Sequence, residues 1–169
     1  MTGCDPEGYS ISSVWKGGEM EKTLVLVKPD AVQRGLAGNI LCRLESTGLK
    51  LVALKMLQMD RELAERHYAI HRGKPFFDGL VGFITSSPLV AAVFEGPKAV
   101  EIARKTMGET DPARSAPGTI RGDMSVDIGR NVVHGSDSTE NAEQEISLFF
   151  SSGEVLGYER QVDRWIIES

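Results

Sequence analysis

Hydrophobic positions along this chain fall into short continuous runs, separated by stretches in which they recur with a helical period. The run Thr23-Leu-Val-Leu-Val-Lys28 has no polar interruption, as expected of a strand covered on both faces, and Pro29-Asp30 ends it. A helix is predicted from Ala37 to Thr47, with Ile40, Leu41 and Leu44 on one side and Gly48 as its stop. Leu49–Met59 reads as a second strand. Asp60 is placed to cap a helix running to His71, and another helix is expected over Phe77–Ser86 despite Gly79 and Gly82. Leu89–Phe94 is a third strand. Pro97 suits the first position of a helix over Lys98–Met107, closed by Gly108. Glu109–Val133 has little periodicity, with short strand pieces expected near Met124–Ile128 and Asn131–His134. Asp137-x-x-Glu140 fits a capping box, and Ala142, Ile146, Phe149 and Phe150 give the following helix its apolar face. In the tail, Leu156–Glu168, the residues Trp165, Ile166 and Ile167 are available to dock.

This alternation of strands and helices predicts an α/β (α+β) protein of the ferredoxin-like β-α-β-β-α-β kind, an antiparallel sheet with helices packed on one face. The pattern does not fix the strand order. The 169 residues suit one domain, taken as 21–169, whereas 1–20 has no periodicity and reads as a disordered extension or an expression remnant. With 41% hydrophobic and 25% charged residues the chain has the composition of a soluble globular protein, and no apolar run approaches the ~20 residues of a membrane span. A net charge of −5 argues against nucleic acid or a membrane surface as the main partner, while leaving room for a local basic pocket. Cys4 and Cys42 are too few for a disulfide framework or a zinc site and point to a reducing, cytoplasmic setting.

The chain carries neither a P-loop nor a dinucleotide-binding glycine motif. His67 and His71 share a helix face at i,i+4, but the run lacks the glutamate of a zinc motif and suggests no third ligand, so chance spacing is the better account. His134 stands apart. It follows Val132-Val133 and precedes Gly-Ser-Asp-Ser, where a strand breaks into a turn before a helix, and the adjacent glycine leaves room for something to approach the ring. An imidazole acts as a nucleophile near neutral pH when a neighbour fixes its tautomer, and Ser136 and Glu145 are the local candidates. At 100° per residue Glu145 lies about 40° from Phe149, at the edge of the inward stripe. A structural turn histidine is the equal alternative on local sequence. Pro117-Gly-Thr-Ile-Arg-Gly-Asp123 presents Arg121 between glycines, and Lys28, Arg104 and Arg130 add positive charge in an acidic protein. By these residues alone the chain is an α/β domain with a candidate histidine site that handles a phosphate.

From Thr23 to Glu168 the chain also resembles the nucleoside diphosphate kinases. The resemblance rests on Lys28-Pro-Asp-Ala-Val-Gln-Arg-Gly35, His67-Tyr68, Pro75-Phe-Phe77, Gly108-Glu-Thr110, Pro117-Gly-Thr-Ile-Arg-Gly-Asp123 and Arg130-Asn-Val-Val-His-Gly-Ser-Asp-Ser138, in that order. It implies a ferredoxin-like fold and ping-pong transfer of a γ-phosphoryl group from a nucleoside triphosphate to a nucleoside diphosphate. By the same resemblance His134 is the nucleophile, Glu145 holds the ring nitrogen opposite the attacking one, Ser136 supports that region and Tyr68 lies near the transferred group. Arg104, Thr110 and Arg121 match phosphate ligands, Lys28 and Asn131 sugar ligands, and Phe76 the aromatic under the base. Stacking tolerates every base, which implies broad base and sugar specificity. Mg²⁺ is implied as a cofactor held mainly by nucleotide phosphates, with no protein metal ligand. The long tail resembles hexameric rather than tetrameric members, so a homo-oligomer, hexamer favoured, is implied. Ser86-Ser87-Pro88 departs from the Ser-Gly-Pro of many members. Two rival readings remain, a partner-binding protein that keeps the fold and a metalloprotein built on His67 and His71.

Overall fold

The computed structural model describes residues 20–168. The expected disordered stretch, 1–20, lies outside these residues except for Met20, which opens the first strand. Four strands, β1 (Met20–Val27), β2 (Lys50–Leu57), β3 (Leu89–Pro97) and β4 (Val133–Gly135), form one antiparallel sheet in the order β2-β3-β1-β4. This is the ferredoxin-like arrangement, with β1 central and β4 at its outer edge. The helices are α1 (Pro29–Gln33), α2 (Ala37–Glu45), α3 (Arg61–His67), α4 (Phe77–Ile84), α5 (Ala99–Met107), α6 (Ile120–Met124) and α7 (Thr139–Phe149).

Helices cover both faces of the sheet, not one as expected. Leu24 and Leu26 of β1 pack with Ala64 of α3, Val81 and Ile84 of α4, and Phe149 of α7. Val25 and Val27 point the other way, onto Ile40 and Leu44 of α2 and Ala99, Ala103 and Met107 of α5. A strand enclosed on two sides needs apolar residues at every position, which is why β1 reads as an unbroken run. Its centre is fully excluded from water: Leu24, Val25, Leu26 and Val27 are each 0% exposed.

Several local expectations change in the folded chain. Pro29 does not merely end β1; it begins α1, where its missing N–H is harmless. Asp60 caps α3 through the Leu63 N–H (2.8 Å), but that helix stops at His67 and continues only as a 3₁₀ turn over Ala69–His71. His67 and His71 therefore do not share a helix face. Pro97 closes β3 rather than opening α5, and Lys98 takes a left-handed conformation (φ 50°) between them. No strand forms at Met124–Ile128, which instead spans the end of α6 and the start of a 3₁₀ turn, Ile128–Arg130; the second strand piece is β4. Ser138, not Asp137, caps α7, accepting the Asn141 N–H at 3.1 Å. In the tail Trp165 stays 80% exposed while Ile166 docks against Gly48, and Arg160 bonds to the Gly48 and Leu49 carbonyls as Leu156 and Tyr158 bond to β2.

Gly122 in α6 has a steric reason to be glycine. A Cβ there would stand 2.2 Å from the Ala116 carbonyl oxygen, backbone that cannot swing aside. Gly122→Ala is expected to destabilise the protein by about 1–3 kcal/mol, the usual cost of overpacking, read as a lowered urea midpoint.

Candidate active site

The centre of the site is set by which face of β4 meets which neighbour. Leu26 pairs with His134, and Val25 with Gly135, so the histidine ring lies on the same side of the sheet as α3 and α7. Gly135 does not make room for a ligand. A Cβ at this position would meet the Met107 side chain at 2.3 Å, so the small residue serves close packing of α5 on the sheet. Just before β4 the backbone turns sharply. Val133 N–H donates to the Asn131 carbonyl (2.7 Å) across Val132, whose φ is +60°, a conformation that is costly for a β-branched residue. Two bonds from the segment after β1 hold this turn: Lys28 N–H to the Val132 carbonyl (2.9 Å), and Val132 N–H to Asp30 Oδ2 (3.0 Å).

Glu145 projects from α7 to the ring, as its position beside the inward stripe predicts. His134 Nε2 donates to Glu145 Oε1 (2.9 Å), and Ser136 Oγ donates to Glu145 Oε2 (2.5 Å). Ser136 also accepts the Leu24 N–H (3.2 Å), tying the carboxylate to β1. The tautomer is thus fixed by Glu145 directly and by Ser136 through it. Burial works to raise the Glu145 carboxyl, but the bonds from His134 and Ser136 prevail and hold it below the ordinary range. With Nε2 committed, Nδ1 is the nitrogen left to act as a nucleophile.

A cleft of about 1030 Å³ opens over this ring. Lys28, Tyr68, Phe76, Arg104, Thr110, Arg121, Asn131, His134 and Glu145, nine of the ten residues singled out in the sequence, line it, and Ser136 stands behind Glu145. Lys28 Nζ donates to Asn131 Oδ1, and Asn131 Nδ2 donates to the Thr110 carbonyl (2.7 Å). Arg121 donates to the carbonyls of Gly108 and Val133 (both 2.8 Å), while its buried Nε has no partner among the described residues. Burial, reinforced by Arg104, lowers the Arg121 guanidinium to about 10. Burial also lowers Lys28, to about 8, with Asp30 opposing and Arg121 and Arg130 adding to the effect. Tyr68 is buried against this centre, which pushes its phenol upward. Phe76, 53% exposed, offers a ring face at the mouth. The arrangement suits a polyanion with a flat apolar end: cations within, an aromatic at the rim, and a nucleophile between them.

Sequence reasoning set one site residue aside and missed two others. His67 is buried edge-on to His134, with ring centroids 4.8 Å apart, rather than paired with His71 by chance. Its place after Leu63 and Ala64 on the buried stripe of α3 was the available signal. Phe83 carries Arg130 stacked at 3.9 Å and Lys28 at 5.4 Å. Asp30, whose bond to Val132 spans 102 positions, left no local signal.

Known proteins resemble this one over most of its length. Residues 21–155 match the family model described as nucleoside diphosphate kinase. A nucleoside diphosphate kinase of Thermomicrobium roseum is 63% identical over 148 residues, covering 88% of this chain and 99% of that protein. One from Dehalococcoides mccartyi is 63% identical over 142 residues, covering 84% of this chain and 100% of that protein. Among solved structures, the halophilic nucleoside diphosphate kinase of Halobacterium salinarum in complex with CDP superposes with a TM-score of 0.86 at 51% identity, over 89% of this chain and 100% of that one. A family protein from Babesia bovis gives a TM-score of 0.84 at 45% identity, over 86% and 99%.

The lowered Lys28 ammonium has a measurable consequence. Lys28 is charged below about 8 and neutral above it. Affinity for a nucleoside diphosphate is therefore expected to be flat below that pH and to fall up to about tenfold per unit above it, because only the charged form attracts the anion. Titration calorimetry on either side of that value checks this, and Lys28→Gln should remove the alkaline limb.

Proposed function

Because this chain belongs to the nucleoside diphosphate kinase family, and so is an enzyme that transfers phosphoryl groups between nucleotides, we propose that His134 is the residue that carries the group. The observation behind this reading is the bond from Nε2 to Glu145, which leaves the Nδ1 lone pair free on a ring that lines a cationic cleft. In the first half-reaction Nδ1 attacks the γ-phosphorus of a nucleoside triphosphate, the bond to the β–γ bridging oxygen breaks, and the diphosphate leaves with that electron pair. In the second, a terminal oxygen of another nucleoside diphosphate attacks the same phosphorus and the P–N bond breaks. Glu145 keeps the proton on Nε2 throughout and offsets the positive charge that the ring gains on phosphorylation. Ser136 holds Glu145 in register.

Phosphoryl transfer depends chiefly on positioning and on neutralising the transferred oxygens, and the remaining residues divide that work. Arg104, Arg121 and Thr110 hold the phosphates, and the unpartnered Arg121 Nε is the donor with most to gain from one. Lys28 and Asn131 hold the sugar hydroxyls, Tyr68 closes the site beside the transferred group, and Phe76 stacks on the base. A ring face reads no base edge, so purine and pyrimidine nucleotides, ribose and deoxyribose alike, are substrates. The CDP bound by the Halobacterium relative supports the pyrimidine part of this range. Mg²⁺ fits this cleft as part of the nucleotide, because it requires a shell of oxygens, and beside Glu145 the cleft offers imidazoles and cations, with Asp137 bonded to Asn141. Carried in by the nucleotide, it would supply charge neutralisation beside Arg104 and Arg121.

The reading extends to a cytoplasmic hexamer. Leu54 and Met56 on the edge strand β2, Val126 in the loop between α6 and β4, and Trp165 in the tail are all exposed, and an assembly would cover them.

Intact-protein mass after incubation with ATP and Mg²⁺ tests the carrier. One phosphoryl group, labile to acid, discharged by GDP and absent from His134→Ala, is the expected result; a protein that binds ATP and never gains it would sink the reading. Glu145→Gln, which keeps the shape and loses both the charge and the hold on the tautomer, is expected to slow phosphoryl-protein formation by up to about 10⁴-fold in single-turnover measurements. Light scattering on a sizing column should return the mass of six chains.

A further inference from the structure

His67 is a buried group in the site for which the phosphoryl-transfer reading has no use. Its side chain is 1% exposed, yet neither ring nitrogen has a hydrogen-bond partner among the described residues. Buried nitrogens left in this way are uncommon and call for an explanation. Burial without an ionic hydrogen bond disfavours the charged form of an imidazole, so the ring keeps a lone pair.

That lone pair has company. His67 at the end of α3, His134 on β4 and Glu145 on α7 each bring one potential ligand atom to a common point, all within 4.8 Å of one another. His134 Nε2 lies 2.9 Å from Glu145 Oε1, and His67 Nδ1 lies 3.7 Å from the same oxygen. A tetrahedral ion with bonds of about 2.0–2.2 Å holds its ligand atoms about 3.3–3.6 Å apart, so these two spacings bracket the required value. Closing the widest pair takes a ring movement of about 1 Å on the same geometry. All three residues line the cleft, from which an ion and a water would enter.

We propose that His67, His134 and Glu145 form an inhibitory site for a divalent cation of the Zn²⁺ class. Two imidazoles and one carboxylate suit Zn²⁺, Co²⁺ or Cu²⁺ and do not suit Mg²⁺, which requires an octahedral shell of oxygens. The site is separate in chemistry from a metal carried in by a nucleotide. Inhibition follows from the tautomer. A metal on Nε2 takes the lone pair there, and the proton that Nε2 had shared with Glu145 passes to Nδ1. The neutral ring keeps its proton count, but Nδ1 loses the pair with which it would attack phosphorus. This consequence rests on His134 as the phosphoryl carrier; the binding rests only on the three side chains.

Untagged full-length protein without nucleotide, titrated with Co²⁺, tests the binding. The expected result is one ion per chain with the intense visible d–d absorption of tetrahedral Co²⁺, bleached by Zn²⁺. His67→Gln and Glu145→Gln should each weaken it by about tenfold or more, at least the loss that follows removal of a ligand's support. Absence of stoichiometric binding, weak octahedral absorption, or a thiolate charge-transfer band placing the ion on a cysteine would each overturn the proposal on the unaltered protein alone, whether or not the variants fold. Unchanged affinity in folded His67→Gln would do the same. Zn²⁺ added before ATP and excess Mg²⁺ should suppress formation of the phosphoryl-protein, with recovery on chelation. Chelated protein that binds Co²⁺ normally but never gains a phosphoryl group would instead overturn the carrier assignment and leave the metal site standing.

Discussion

Strand β4 is only three residues long, and the whole site hangs from it. Such a strand has too few ladder bonds to hold its own register, so its position against β1 is fixed from outside the ladder. Below it, the turn at Val132 is clamped by Lys28 and Asp30; beside it, Arg121 donates to the Val133 carbonyl; above it, Ser136 both accepts from Leu24 and donates to Glu145. Each of these bonds joins a chemically active residue to the buried centre of the fold. A slip of one residue along β1 would turn His134 to the opposite face, away from Glu145 and into the layer of α2 and α5. The strain at Val132 belongs to the same arrangement, because it lets the chain leave the cleft floor and enter β4 at the required angle.

The second constraint is electrostatic. Lys28 and Arg121 are buried cations that bond to neutral acceptors, the Asn131 amide oxygen and the carbonyls of Gly108 and Val133, while Asp30 and Glu109 act on them only through space. Desolvation lowers both cations from their ordinary values without reversing their charge at neutral pH. A cleft left positive in a chain of net charge −5 stores unfavourable energy that a polyphosphate relieves on binding. Folding stability is thus given up at the place where an anion is to be held, a trade common to sites built for tight recognition of charge.

Much of this was legible in the chain. The unbroken apolar run Leu24–Val27, the Asp60 cap and the stripe of α7 follow from short-range rules and appear where those rules put them. Local rules failed wherever a competing contact outvoted them. Asp137 looked like the cap of α7, but its side chain turned to Asn141 and Ser138 took the role. Gly135 looked like room for a ligand until Met107 filled the space. The expectation of helices on one face failed because residues of both parities in β1 are apolar. That pattern says the strand is covered twice without saying by what.

The sequence by itself determined the longer strands and helices, though not α1 or α6, the residues able to do chemistry and, through the ordered motifs, the family to which they belong. Periodicity of two or 3.6 and capping preferences act over a few residues, so they survive in a linear reading. Only the tertiary structure decided which histidine nitrogen is free, that His67 and not His71 stands beside His134, and that Asp30 steadies the turn before β4. Those outcomes depend on pairs such as Leu24 with Ser136 and Lys28 with Asn131, separated by 112 and 103 positions. At such distances along the chain no local period carries information, and the packing of the sheet between its two helical layers settles who meets whom.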